Sequence, residues 1–119
     1  MHELGITQGI VDHAREAAQA NGARGVTDLY LAMTPAADFD QESIEMYFEM
    51  LTGEDDFFKG ARLHFDHRPI PAQCLACGVE FTARERHEPC PRCSSRTVRL
   101  DPDAPMVQLT DIGIDAEEE

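Results

Sequence analysis

The sequence is poor in basic residues and in long apolar runs. Its 119 residues include 10 lysines and arginines against 23 aspartates and glutamates, so the formal net charge is −13. This excess of acid repels phosphate groups and argues against nucleic acid as the main partner. No apolar run is long enough to span a membrane, and no secretory signal peptide opens the chain. We therefore expect a cytoplasmic protein with neither nucleic acid nor membrane as a partner.

The sequence also lacks the motifs that most enzyme classes need. It contains no phosphate-binding loop, no nucleophile placed beside a base, and no converging carboxylates in a recognisable pocket. The acidic residues of the second predicted helix are interpreted as a solvated face. We therefore expect a protein that is not an enzyme.

Cysteine is scarce as well, but all four copies lie in one stretch of the chain. They form two C-x-x-C pairs, Cys74 with Cys77 and Cys90 with Cys93, separated by twelve residues. Two such turns brought together by short strands supply four thiolates in a tetrahedron, which suits Zn²⁺. Two disulfides are the alternative, but that pattern is typical of secreted chains. A redox C-x-x-C would need only one pair. The spacing therefore predicts a structural zinc site.

The residues that surround the cysteines differ in charge from the rest of the chain. Residues 68–99 hold six arginines and three glutamates, a balance of +3, whereas the remainder has a balance of −16. Gly78 follows the first pair, where a knuckle needs positive φ, and Ser94 occupies the equivalent place after the second. The basic module keeps one binding function open, that of a zinc ribbon that binds protein or RNA.

Apolar spacing divides the remainder of the chain into helices and strands. It predicts an α+β fold with two helices on a three-stranded sheet and an inserted zinc ribbon. The predicted helices cover residues 4–20 and 41–52, and the predicted strands cover residues 25–34, 61–70 and 106–114. The last of these strands is expected to pair with both of the others. Met46 and Met50 flank the apolar stripe of the second helix and are interpreted as core filler.

Two proline-rich linkers set the predicted domain boundaries, one that begins at Pro69 and Pro71 and a second at residues 101–105. Residues 1–70 plus 104–115 are expected to form the α+β domain, and residues 71–103 an inserted zinc-binding domain that metal must hold together. Residues 116–119 are expected to be an acidic tail.

The first three residues form a second candidate metal site. The α-amine of Met1 with the amide and imidazole of His2 can make fused chelate rings, and Glu3 can supply a further donor. Planar nitrogen donors of this kind suit Ni²⁺ or Cu²⁺. A histidine after the initiator methionine is more often an ordinary surface residue, so these residues alone favour the metal site only weakly. His64 and His67 point to opposite faces of an ideal strand, which argues against a metal shared between them.

Several stretches of the sequence resemble one known family. The opening MHELGITQGIVD, then GARGVT, ESIEMYFEML, KGARL, the double cysteine motif and the closing MVQLTDI are similar to the hydrogenase nickel-insertion accessory proteins of the HypA/HybF family. The resemblance covers nearly the whole chain. The loop 34–39, which reads TPAADF, departs from the family pattern, as does Ser94.

The resemblance carries its own expectations for fold, metals and partners. It implies a mixed three-stranded sheet with two helices plus a zinc domain. It implies Ni²⁺ bound at Met1, His2 and Glu3, and Zn²⁺ bound at the four cysteines. The expected partners are a maturation GTPase and the [NiFe]-hydrogenase large subunit, to which a nickel metallochaperone would deliver its ion. A homodimer is left open.

Overall fold

A computed structural model describes residues 3–116 of the chain. It contains two α-helices, a short 3₁₀ turn at Asp56–Phe58 and six strands. The helices are α1 (Glu3–Ala20) and α2 (Gln41–Thr52). The strands are β1 (Ala23–Met33), β2 (Arg62–His67), β3 (Ile70–Cys74), β4 (Glu80–Ala83), β5 (Val98–Leu100) and β6 (Val107–Ala116). No described helix is long and apolar enough to cross a membrane.

Local sequence signals set the ends of both helices. Gly22, which follows α1, has a φ of 70°, and this left-handed backbone ends the helix without strain. Asp40 caps the start of α2, where its carboxylate accepts a hydrogen bond from the Ser43 amide at 3.1 Å. The predicted helices are therefore confirmed nearly to their ends.

The strands form two separate three-stranded sheets. The first has the order β2-β1-β6 and the second the order β4-β3-β5. In the second sheet β3 is antiparallel to both neighbours, with Gln73 opposite Glu80 on β4 and Arg99 on β5. The predicted fold class, two helices with a three-stranded mixed sheet and a zinc ribbon, is confirmed.

Two details of the predicted sheet are wrong. The second predicted strand, residues 61–70, is divided: β2 ends at His67, and Ile70 begins β3 in the other sheet. The last strand was expected to pair with both earlier strands, but β1 lies between β2 and β6. The alternation of apolar residues does not indicate which strand is central. The predicted strand extended past Pro69 because Ile70 fits the alternation of β2 as well as that of β3.

Backbone proximity divides the described residues into two units. The first unit comprises residues 3–32, 39–66 and 108–116, and the second unit comprises residues 33–38 and 67–107. The predicted domain boundaries, with the insertion at residues 71–103, stay a prediction. Residues 117–119 of the predicted acidic tail lie outside the described residues.

The core of the first unit is built from one face of each helix and the inner side of β1. Leu29 and Leu31 of β1 are almost fully buried, and Ala14 and Ala18 of α1 are fully buried. The α2 side of this core includes Ile44. Met46 and Met50 of α2 are 56% and 62% exposed, so their prediction as core filler is wrong. They lie outside the stripe that Ile44 and Phe48 define, on the solvent side of the helix.

The second unit includes residues 34–38 of the loop that departs from the family pattern. The Thr34 amide and hydroxyl donate hydrogen bonds to the carbonyl oxygens of Met106 (3.0 Å) and Pro105 (2.6 Å). The Arg86 guanidinium donates to the Ala36 carbonyl oxygen at 3.1 Å. These bonds hold residues 34–36 to the second proline-rich linker and to the loop between the cysteine pairs.

Candidate metal centre

The first cysteine pair lies on a tight turn at the end of β3. The Gly78 amide donates to the Cys74 carbonyl oxygen at 2.9 Å, and Gly78 has a φ of 81°. The Cys74 amide donates to the Val79 carbonyl oxygen at 2.9 Å. Inside the turn, the Cys77 amide points at the sulfur of Cys74 at 3.4 Å. The turn therefore fixes the Cys74 sulfur inside a loop of backbone amides.

The second pair repeats this arrangement. The Ser94 amide donates to the Cys90 carbonyl oxygen at 2.9 Å, and the Cys90 amide donates to the Ser95 carbonyl oxygen at 2.9 Å. The Cys93 and Arg92 amides point at the Cys90 sulfur at 3.4 and 3.3 Å. Two turns of the same form thus present two sulfurs each.

Ser94 has a strained backbone conformation in the second turn. Its φ of 64° is the positive value that Gly78 adopts in the first turn, and it is the one positive φ outside glycine among residues 3–116. Left-handed backbone costs a residue with a Cβ about 1–2 kcal/mol, whereas glycine adopts it freely. The departure noted in the sequence is therefore a small local strain.

We expect Ser94→Gly to stabilise the second unit by about 1 kcal/mol. Transfer of zinc from the protein to a chromogenic chelator should slow accordingly. Ser95→Gly is the matched control, since the Ser95 hydroxyl accepts a hydrogen bond from the Thr97 amide at 3.1 Å and its loss should speed the transfer. Equal or faster transfer from Ser94→Gly would contradict the assignment of strain to this residue.

The four sulfur atoms converge on one point. They all lie within 4.8 Å of one another, with 3.6 Å between Cys74 and Cys93 and 3.7 Å between Cys77 and Cys90. All four thiols are free, so the disulfide alternative does not describe this arrangement. A tetrahedral site with Zn–S bonds of about 2.3 Å places its sulfurs about 3.8 Å apart. The cluster therefore fits Zn²⁺.

The turns also act on the protonation of the thiols. The Cys77 amide is the largest cause that lowers the pKa of Cys74, to about 6, and burial opposes it. Burial raises the pKa of Cys90, but hydrogen bonds from two backbone amides and from neighbouring thiols lower it by more. The Ser95 amide lowers the pKa of Cys93, but the thiol of Cys74 and burial raise it, to about 12. The backbone therefore favours the thiolate at Cys74 and Cys90, the form that binds metal.

The predicted nickel site falls largely beyond the part of the chain that the structure describes. Met1 and His2 lie outside the described residues. Glu3 is the first residue of α1, and its carbonyl oxygen accepts a hydrogen bond from the Thr7 hydroxyl at 2.6 Å. The third predicted ligand is therefore placed on the first turn of a helix.

The structure reveals a side-chain cluster that sequence reasoning missed. The His64 Nε2 atom of β2 lies 2.8 Å from the Asp28 Oδ1 atom of β1, and the His64 ring stacks on Tyr30 at 4.6 Å. The hydrogen bond with His64, aided by that from Thr27, lowers the pKa of Asp28. Nothing in the sequence pairs residues 28 and 64, because their contact depends on which strands are neighbours. Within residues 3–116 the cysteine cluster is the single group with three or more metal-binding side chains, so His64 and His67 form no such group.

The fold and the cysteine cluster together define a class of protein. Its members combine an α+β domain with a zinc ribbon that has a closed four-thiolate site. Within that class the family is shown by a family model that matches residues 1–109. The chain belongs to the HypA family, described as metallochaperones of hydrogenase and urease nickel incorporation. The family consists of metallochaperones and maturation factors, so the chain is not an enzyme, and its role involves interaction with other maturation proteins.

Individual relatives agree with this assignment. The hydrogenase maturation factor HypA of Azotobacter vinelandii is 35% identical over 100 residues, which cover 84% of this chain and 88% of the relative. HypA of Aeromonas hydrophila is 31% identical over 114 residues, which cover 96% and 99%. HybF of Klebsiella pneumoniae is 31% identical over 100 residues, which cover 84% and 88%. The fold is similar to the solution structure of the nickel metallochaperone HypA from Helicobacter pylori, with a TM-score of 0.66. The two sequences are 20% identical, and the match covers 98% of this chain and 100% of that one. This last likeness shows a common fold.

Proposed function

We propose that the chain binds one Ni²⁺ at Met1, His2 and Glu3 and delivers it to the large subunit of a [NiFe]-hydrogenase, with a GTPase of the same pathway as partner. One observation carries this proposal: the family match begins at residue 1 and runs to residue 109, so it includes both the opening residues and the four cysteines. Zn²⁺ is held separately by Cys74, Cys77, Cys90 and Cys93, and a homodimer stays a prediction.

The two metals differ in how the protein would hold them. The cysteine site is closed by four sulfurs on two rigid turns, a form typical of structural zinc. A metal that is cargo needs a site with few contacts to break at release. We propose that the residues before α1 meet that need, and the carboxylate of Glu3 at the helix start also favours a nearby cation. The free thiols fit a reducing setting, and we propose the cytoplasm.

Nickel binding at this site should depend on pH in a defined direction. The α-amine and the His2 imidazole must both be unprotonated to bind, and their ordinary pKa values are about 8 and about 6.5. The Ni²⁺ affinity should therefore fall as the pH drops from about 8 to about 6. The zinc site should retain its metal across this range.

The test is a nickel titration of the tag-free, zinc-loaded protein. We expect His2→Ala, or one additional residue before Met1, to abolish the absorption band of planar Ni²⁺ and to reduce the affinity at least about tenfold. His13→Ala is the matched control, a change of an exposed histidine of α1 that should leave binding unaltered. Zinc content measured by metal analysis should be the same in all variants.

Nickel binding that survives both terminal changes would place the nickel site elsewhere. If no variant and no parent protein binds nickel while zinc is retained, the rival function applies, a zinc ribbon that binds protein or RNA. The nickel titration of the parent protein distinguishes these two outcomes, because the parent binds nickel in the first and not in the second.

A further inference from the structure

An open pocket of about 480 Å³ lies on the first unit, between α2, the 3₁₀ turn and the start of β2. Phe48 and Phe58 line it and are 7% and 2% exposed, so they form its base. Glu45, Glu49 and Asp56 also line it and are exposed, so their carboxylates form its rim. The pocket thus has aromatic rings at its base and negatively charged carboxylates at its rim.

The same unit already holds one guanidinium by this combination. The Arg15 guanidinium carbon lies 5.0 Å from the centre of the Phe58 ring and 5.4 Å from that of Phe57. Its guanidinium also pairs with the carboxylate of Asp55. Arginine stacks on aromatic faces while its N–H groups bond carboxylates, which lysine does less well. Arg15 therefore shows what kind of group Phe58 and its acidic neighbours accommodate.

The pocket has an unbalanced charge. Its described lining residues include four carboxylates and one cation, Lys59, and Asp55 is already paired with Arg15. Met46 and Met50 follow the lining residues Glu45 and Glu49 on α2 and are exposed, and their flexible thioether side chains adapt to many apolar surfaces. An acidic pocket with an aromatic base and an apolar flank matches a positive side chain that projects from an apolar surface.

We propose that this pocket receives an arginine side chain from a basic, apolar-flanked surface of a protein partner. A bare metal ion fits less well, because within residues 3–116 the carboxylates form no group of three or more that could hold a metal ion. A second copy of the chain could offer the six arginines of residues 68–99, but it fits less well because the formal net charge of −13 on each copy opposes association. The proposal does not depend on nickel binding.

The test uses the full zinc-loaded chain and the tripeptide acetyl-Leu-Arg-Leu-amide, followed by NMR. We expect the peptide to shift the amide signals of the pocket residues and the methyl signals of Met46 and Met50, with a millimolar dissociation constant. The peptide with citrulline in place of arginine, which has the same shape without the charge, should bind at least about tenfold more weakly. Binding should also weaken as the salt concentration rises.

Two double variants separate the pocket from general negative charge. Glu45→Gln with Glu49→Gln removes two rim carboxylates and should weaken binding at least about fivefold. Glu42→Gln with Glu54→Gln removes two exposed carboxylates that do not line the pocket, and it should leave binding unchanged.

Four results would overturn the proposal. They are equal binding of the citrulline peptide, equal loss in both double variants, the same shifts on addition of Mg²⁺ alone, and shifts that arise from self-association detected by sedimentation. Equal binding of the citrulline peptide would show that the positive charge does not contribute to recognition. Equal loss in both double variants would show that the pocket is not the binding site. The last two results would show that the occupant is a metal ion or a second copy of the chain.

Discussion

Replacement of Cys90 by alanine should unfold the second unit and leave the protein with less than half an equivalent of zinc. Cys90 is 2% exposed and contributes one of four converging sulfurs. The second unit has few other means of support, because its buried apolar residues are mostly small, as Ala72 and Ala83 illustrate. Structural zinc contributes on the order of 10 kcal/mol to such a fold, more than this core supplies.

Metal analysis and a two-dimensional NMR spectrum measure this outcome. Signals of residues 67–107 should collapse to narrow dispersion, while those of Leu29, Leu31 and Ile44 in the first unit should remain dispersed. Arg92→Ala is the control: Arg92 lies between Cys90 and Cys93, is exposed, and contributes its backbone amide to the sulfur. A full equivalent of zinc with a dispersed spectrum in Cys90→Ala would contradict a structural role for this thiolate.

Removal of β6 is the change with the second large effect. A chain that stops after Met106 retains the partners of Thr34 but loses the strand beside β1. β1 is the central strand of its sheet, so the loss exposes one row of its backbone groups. It also removes the half-buried side chains of Ile112 and Ile114 and leaves the surface that they cover open to water. We expect the free energy of unfolding of the first unit to fall by more than about 3 kcal/mol, against a total of about 5–15 kcal/mol for an ordinary domain.

Tyrosine fluorescence during urea unfolding gives a selective measurement. The sequence has no tryptophan, and its two tyrosines, Tyr30 and Tyr47, both lie in the first unit. A chain that stops after Ala116 is the control and should unfold at the parent midpoint. If the chain that stops after Met106 also unfolds at that midpoint, the place of β6 in the sheet is wrong.

Helices and the cysteine site could be predicted because their signals are local. The stripe Ile44, Tyr47, Phe48 and Leu51 specifies α2 within one stretch of chain, and the C-x-x-C spacing places both sulfurs of a turn together without reference to the rest of the fold. Gly78 and Ser94 could be placed for the same reason, and both have the positive φ that the turns need.

Features that depend on distant neighbours could not be predicted. The contact between Asp28 and His64 requires β1 and β2 to be adjacent in one register, and alternation gives neither. The pocket depends on Phe48 and Phe58 meeting with their ring centres 6.0 Å apart, across a turn of unpredicted form. The exposed methionines were misassigned because a helical stripe has no sharp edge, so residues that flank it can face either way.

The place of β6 in the chain has a consequence for synthesis on the ribosome. The first unit contains the earliest residues, yet its sheet is completed by residues 107–116, the last described strand. The second unit, with all four cysteines, is complete once residue 107 has emerged. Domains usually fold in the order of their synthesis. The second unit lies between segments of the first along the chain, so it would be complete first, and zinc would be captured by the nascent chain before the first unit closes its sheet.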